Sequence, residues 1–383
     1  MTNRLYLDHA ATTPMMAAAR SAVAEGMTRW ANPSSPHAEG RAARAALEAA
    51  RAAIGAAYGW RGDVILTSGA SESLAIALGR TGASRRLVSA VEHDAVLRAA
   101  PGAEVLGVTT QGLLPPSSVH AELVEAPAPG SCPSTGSGRT EEGTDFLTGR
   151  EGCALVCVQW ANSETGVRQP IAAIADAVHA AGALLLVDAA QMPAGADPNV
   201  AAHADFVALS AHKRGGPPGV GALLVRDLAT LSATGGQERG YRPGTENLPG
   251  ALGYAAALAE PEPLEGWAAL RARLDDALTR SGGLVVAGGS PRHPAIGSYR
   301  MPGVAQAAQL IRFDLAGIAV SAGSACSSGS LKPSHVLSAM GWSEGAAREV
   351  VRISFGRDTG EADVDRAIAA WRDIARAARR IAA

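Results

Sequence analysis

The chain has 383 residues, of which 47% are hydrophobic and 18% charged, and its formal net charge is −2. That composition is globular rather than disordered, and the near-neutral charge gives no reason to expect a nucleic-acid or anionic-membrane partner. No run of about 18 apolar residues is present and MTNRLYLDHAATTP lacks a basic region leading into an apolar core, so neither a membrane span nor a signal peptide is expected, and the expected location is the cytoplasm.

In chain order, the first helical pattern is AEGRAARAALEAARAAIGAA (38–57), followed by the strand candidates DVILTS (63–68) and RLVSA (86–90). Segment 125–152 is rich in Gly, Pro, Ser and Thr without periodicity and is expected to be a mobile surface insertion. The strand ALVCVQW (154–160), a helix (170–181) and the strands ALLLVD (183–188), DFVALS (205–210) and GALLVR (221–226) come next. Continuous apolar strands separated by helices predict an α/β fold with a mostly parallel central sheet flanked by helices. Beyond residue 255 the pattern loosens into a helix (264–280), a strand (284–287), a helix (305–316), the strand VVRISF (350–355) and an amphipathic helix (361–381). This reads as a smaller α+β domain, made of 1–14 plus 255–383 and attached to a large domain of 15–254. A length of 383 residues suits two domains.

Lysine and arginine total 34, yet only Lys213 and Lys332 are lysines, so chemistry that needs a lysine amine has two candidates. ALLLVD ends in Asp188, and the next strand leads to Ser210, His212 and Lys213. In a parallel sheet both strand ends face one ligand edge. A carboxylate and a lysine there suit pyridoxal 5′-phosphate (PLP), whose ring nitrogen needs an acid and whose aldehyde needs an amine. The plain alternative is a turn-capping Asp and a surface lysine. TSGASES (67–73) stands between a strand and a helix, where small residues admit a phosphate, or where Ser68 or Ser71 simply caps the helix. His93 in EHDAV either faces a cofactor ring and moves protons or caps a helix. Arg352 lies in an apolar strand and needs a carboxylate, from a substrate or from an internal Asp. Cys326, in SAGSACSSGSLKPSH, is either an accessible nucleophile or an ordinary loop cysteine. Cys132 falls in the insertion, whereas Cys153 and Cys157 in or beside an apolar strand are expected to pack. A reducing compartment disfavours structural disulfides, and no metal site is expected.

In this order, YLDHAATTP (6–14), NPSSPH (32–37), LTSGASES (66–73), EHDAV (92–96), NSETGV (162–167), VDAAQ (187–191), SAHK (210–213), RPGTEN (242–247), GSACSSGSLKPSH (323–335) and VRISFGR (351–357) cover nearly the whole chain. The set resembles the cysteine desulfurases of the class V aminotransferase group, within fold type I of the PLP enzymes. The resemblance implies that Lys213 holds PLP, Asp188 pairs with its ring nitrogen and Gln191 approaches its phenolic oxygen. It implies that Ala70, Ser71, Ser210 and His212 surround the phosphate, that His93 stacks on the ring, and that Asn32 and Arg352 hold the carboxylate of L-cysteine. It further implies that Cys326 takes the sulfur as a persulfide, and that Thr245 reaches the cofactor of a neighbouring subunit in a homodimer. The sulfur would then pass to an acceptor protein such as an iron–sulfur scaffold. Ser163 stands where the group has a second Asn near the phenolic oxygen, and GGPPG (215–219) and segment 125–152 also depart from it. A selenocysteine lyase, another class V aminotransferase or a non-catalytic scaffold are the competing readings. The GSACSSGS loop favours the desulfurase over the first two, and retention of Lys213, Asp188, His93 and Cys326 speaks against the scaffold.

Overall fold

A computed structural model describes residues 4–125, 153–322 and 334–382. Its centre is a seven-stranded sheet in the order Asp63–Thr67, Gly221–Val225, Phe206–Ser210, Leu184–Asp188, Ala154–Gln159, Arg85–Ser89, Glu104–Leu106. Gly221–Val225 runs antiparallel to both neighbours, and all other pairs are parallel.

The apolar strands are continuous because the sheet is covered on both faces. Leu185, Val187, Val207 and Leu209 point into one core layer, and Leu186, Phe206 and Ala208 into the other. This is the two-residue alternation of a pleated strand with both sides apolar. Each fully buried leucine or valine contributes roughly 1.5–3 kcal/mol. Ala38–Ala57 covers one face through Ala43, Leu47, Ala50 and Ile54, a spacing of one helical stripe, and His37 caps its start by accepting from the Gly40 N–H at 3.2 Å. Leu248–Leu258, which the sequence pattern did not reveal, is apolar nearly all round because it lies between Ala17–Thr28 and Ala38–Ala57.

A second core joins Leu5 and Leu7 to Trp267, Leu274, Tyr299, Phe313, Ile353 and Trp371. Here Val350–Ser354, Ile296–Arg300 and Leu284–Val285 form an antiparallel sheet, and Leu5–Tyr6 pairs with Ile318–Ala319. Glu361–Ala382 packs its stripe of Val364, Ile368, Trp371 and Ile374 against it. Cys157 is fully buried and packs as expected. Cys153 is buried too, but it is disulfide-bonded, which corrects the expectation of cysteines without disulfides. Cys132, Cys326, Lys332 and segment 126–152 lie outside the described residues. No helix among the described residues is long and apolar enough to cross a membrane.

Candidate active site

The parallel strands deliver their C-terminal ends to one edge, and a cavity of about 930 Å³ opens there. Asp188 ends its strand opposite Ala208 on one side and Gln159 on the other. Ser210 ends the next strand and His212 and Lys213 follow it, while His93 follows Arg85–Ser89. All five line the cavity. Asp188 is only 7% exposed, and its Oδ1 accepts from the Ala190 N–H at 3.0 Å. His93 caps a helix and also lines the cavity. Its Nδ1 accepts from the Ala95 N–H at 3.1 Å, capping Asp94–Ala99, while its ring faces the cavity. Burial first, then the Lys213 charge, lowers its pKa, so it is held as the neutral imidazole.

Ala70 and Ser71 enter the cavity at the start of helix Ala70–Arg80, whose N-cap Gly69 has no side chain to cap it; Glu72 and Thr67 accept from the preceding Ser68 and Gly69 N–H groups, not from those of the first turn. The first-turn N–H groups and the positive end of the helix dipole are therefore turned to the cavity. Gly221 makes this possible, since a Cβ there would strike the Gly69 and Leu209 backbones. His212 has its Nδ1 3.1 Å from Thr12 Oγ1, and burial drives its pKa down to about 4.

The segment after Leu5–Tyr6 forms a further wall. Ala10 and Ala11 line the cavity, the Thr13 N–H donates to the His212 carbonyl at 2.9 Å, and Thr13 Oγ1 donates to the Lys213 carbonyl at 3.2 Å. Arg352, 5% exposed, reaches the cavity from the small sheet. Its Nη2 donates to Asp8 Oδ1 at 2.6 Å and its Nη1 to the Ser163 carbonyl at 2.8 Å. Its internal partner is therefore Asp8, and Ser163 lines the cavity beside it.

Three expected site residues stand elsewhere. Gln191 turns its side chain into a small chamber on the other side of Lys213, where its Nε2 donates to the Ala10 carbonyl at 2.9 Å. That chamber also holds His9 and His293. Asn32 is exposed away from the cavity, its Oδ1 accepting from the Ser34 N–H at 2.9 Å. Thr245 is exposed as well and does not line the cavity. Sequence reasoning passed over Glu92, a fully buried carboxyl in the cavity wall, although it directly precedes His93 in the quoted EHDAV motif.

A family model, aminotransferase class-V, matches residues 5–125 and 133–367. The chain belongs to the class-V aminotransferase family. A cysteine desulfurase of Gluconacetobacter diazotrophicus is 38% identical, covering 96% of this chain and 92% of that one. The cysteine desulfurase IscS of an Anaeromyxobacter species is 36% identical over 95% of this chain and 90% of its own. Among solved structures, a NifS-like protein from Rickettsia africae superimposes with a TM-score of 0.82 at 28% identity, covering 97% and 99% of the two chains. SspA in complex with cysteine follows the same fold at a TM-score of 0.75 and 26% identity, covering 92% of this chain and 99% of that one.

Proposed function

We propose that this class-V family member is a PLP-dependent cysteine desulfurase that converts L-cysteine to L-alanine and passes the sulfur to Cys326. The observation that carries the reading is the meeting of Lys213, Asp188 and the uncapped start of Ala70–Arg80 in one cavity. This donor set fits PLP: an amine for the aldehyde, a carboxylate for the ring nitrogen and free N–H groups with Ser71, Ser210 and His212 for the phosphate. Bound there, PLP would supply an electron sink for the α-carbon of the substrate.

The protein's own groups would do the rest. Asp188, backed by the Ala190 N–H, holds a negative charge where a protonated ring nitrogen needs one. Neutral His93, its Nδ1 held by the Ala95 N–H, would move protons at the cavity through its other ring nitrogen, Nε2. Arg352 is fixed by Asp8 and Ser163, and its cavity-facing guanidinium suits a substrate carboxylate. Cys326, as a thiolate, would attack the sulfur of cysteine. An S–S bond forms, the Cβ–S bond breaks, its electron pair stays with the carbon, and a proton completes alanine. The GSACSSGS sequence around Cys326 supports this role by the resemblance.

The exposed RPGTEN segment with Thr245 suits a homodimer, a cytoplasmic location suits this soluble chemistry, and an iron–sulfur scaffold suits the acceptor. The separate cores support a large domain of 15–254 and a small domain of 1–14 plus 255–383. Incubation with L-cysteine tests the reading. Equal alanine and persulfide or sulfide are expected from the wild type and none from Lys213→Ala. Alanine without sulfur on Cys326, or turnover in Lys213→Ala, overturns it.

A further inference from the structure

Beside Asp188 sits a carboxyl group that the proposed reaction does not use. Glu92 is 0% exposed although it belongs to the cavity wall. Its Oε1 accepts from the Gln159 N–H at 2.9 Å, while its Oε2 has no hydrogen-bond partner among the described residues. Gln159 lies directly across from Asp188 in the sheet, so one stretch of backbone holds both acids at the same edge. No cation among the described residues pairs with the carboxyl. His335 Nε2 reaches the Glu92 backbone carbonyl at 2.8 Å, not the side chain, and the Ser89 hydroxyl and the buried Cys157 thiol are uncharged neighbours.

A fully buried carboxylate with one neutral donor and a second carboxylate alongside is strongly disfavoured. A proton cancels one of two like charges. We propose that Glu92 is a permanently protonated acid, a positioning residue that holds the Gln159 N–H directly across from Asp188 without adding a second negative charge beside it. Burial and then the Asp188 charge push the Glu92 pKa well above the usual carboxylate range, against a smaller downward pull from the Gln159 amide and Ser89.

Protonation of Glu92 is independent of the cofactor reading. Its consequence for a bound ring rests on that reading, because a second anion would compete with Asp188 for the ring nitrogen.

The test is an infrared difference spectrum, wild type minus Glu92→Gln, on the full-length protein without and with PLP. A protonated-carboxyl C=O band in the wild type, lost in the variant and constant from mildly acidic to mildly alkaline pH, is expected. Ionised-carboxylate bands in its place overturn the proposal. The pH series on ¹³C-glutamate-labelled wild type decides the same point should Glu92→Gln fail to fold. For the positioning role, Glu92→Leu is expected to weaken PLP binding roughly tenfold, the equivalent of one net buried hydrogen bond, and Glu92→Gln several-fold less. Equal losses in the two overturn the positioning role. Wild type that binds no PLP refutes the cofactor reading and leaves the infrared result to judge Glu92.

Discussion

Lys213 stands between two unlike spaces. In front is the wide cavity with Asp188, His93 and the open helix start; behind is a chamber of about 10 Å³ lined by His9, Gln191 and His293. Both are rich in polar groups. In front they border a space wide enough for a ligand. Behind there is no room for one: Gln191 Nε2 holds the Ala10 carbonyl and His293 Nδ1 accepts from the Ala295 N–H at 3.0 Å, its ring lying against Trp160 and Trp267, while Gln191 Oε1, His293 Nε2 and His9 Nδ1 are buried with no hydrogen-bond partner among the described residues. A buried histidine or glutamine is therefore not evidence of chemistry until the room beside it is known.

The contrast can be broken most sharply at Lys213 itself. Borohydride trapping with PLP followed by peptide mapping is expected to label Lys213, and Lys213→Ala to reduce turnover to background. A label on Lys332 would sink the assignment of Lys213. Next in size, Asp188→Asn is expected to retain the fold but lose roughly 10²–10³-fold in kcat, because a neutral amide no longer stabilises positive charge. Near-normal rates would remove Asp188 from the mechanism. Behind Lys213 the expected effects fall on stability instead. His293→Leu leaves the Ala295 N–H unpaired and is expected to cost about 1–3 kcal/mol in denaturant unfolding, with kcat within a few-fold of wild type. Gly356→Ala, whose Cβ would collide with the His9 ring, is expected to cost about 1–3 kcal/mol through overpacking. A large loss of kcat without loss of stability in either variant would erase the contrast.

The last expected effect is on pH dependence. His9 behind and His212 in front both titrate at about 4 when folded, against 6.5 for an ordinary histidine, mainly through burial. The unfolded chain therefore binds protons first as the pH falls. The stability these residues contribute is complete above about pH 6.5 and is lost progressively towards pH 4. His9→Phe and His212→Asn are each expected to flatten the stability curve in that window and leave it unchanged above it.

The central sheet was legible because its strands are apolar on both faces, and the helices 38–57 and 264–280 because their stripes are regular. Ile296–Arg300 was not, since IGSYR is short and carries a glycine. The cavity residues that follow strand ends, Asp188, His93 and Lys213, could be placed from order alone. Arg352 could be identified but not its Asp8 partner, which is 344 residues away. Nor could sequence foresee that Gln191, three residues past Asp188, faces the opposite side of Lys213, because that depends on which way a turn rotates the side chain. Glu92 was passed over because its meaning lies in its complete burial, which a motif does not display.

The stitching of residues 5–13 to the far end of the chain sets the order in which the protein can mature. Leu5 pairs with Ile318, Asp8 with Arg352, and Thr13 with the His212 and Lys213 carbonyls. During synthesis the sheet edge can assemble early, yet one cavity wall must wait until Arg352 has left the ribosome. Such distant closures are late events in folding. A nascent or truncated chain would thus carry Lys213 and Asp188 without a finished pocket, and cofactor capture would report that folding is complete.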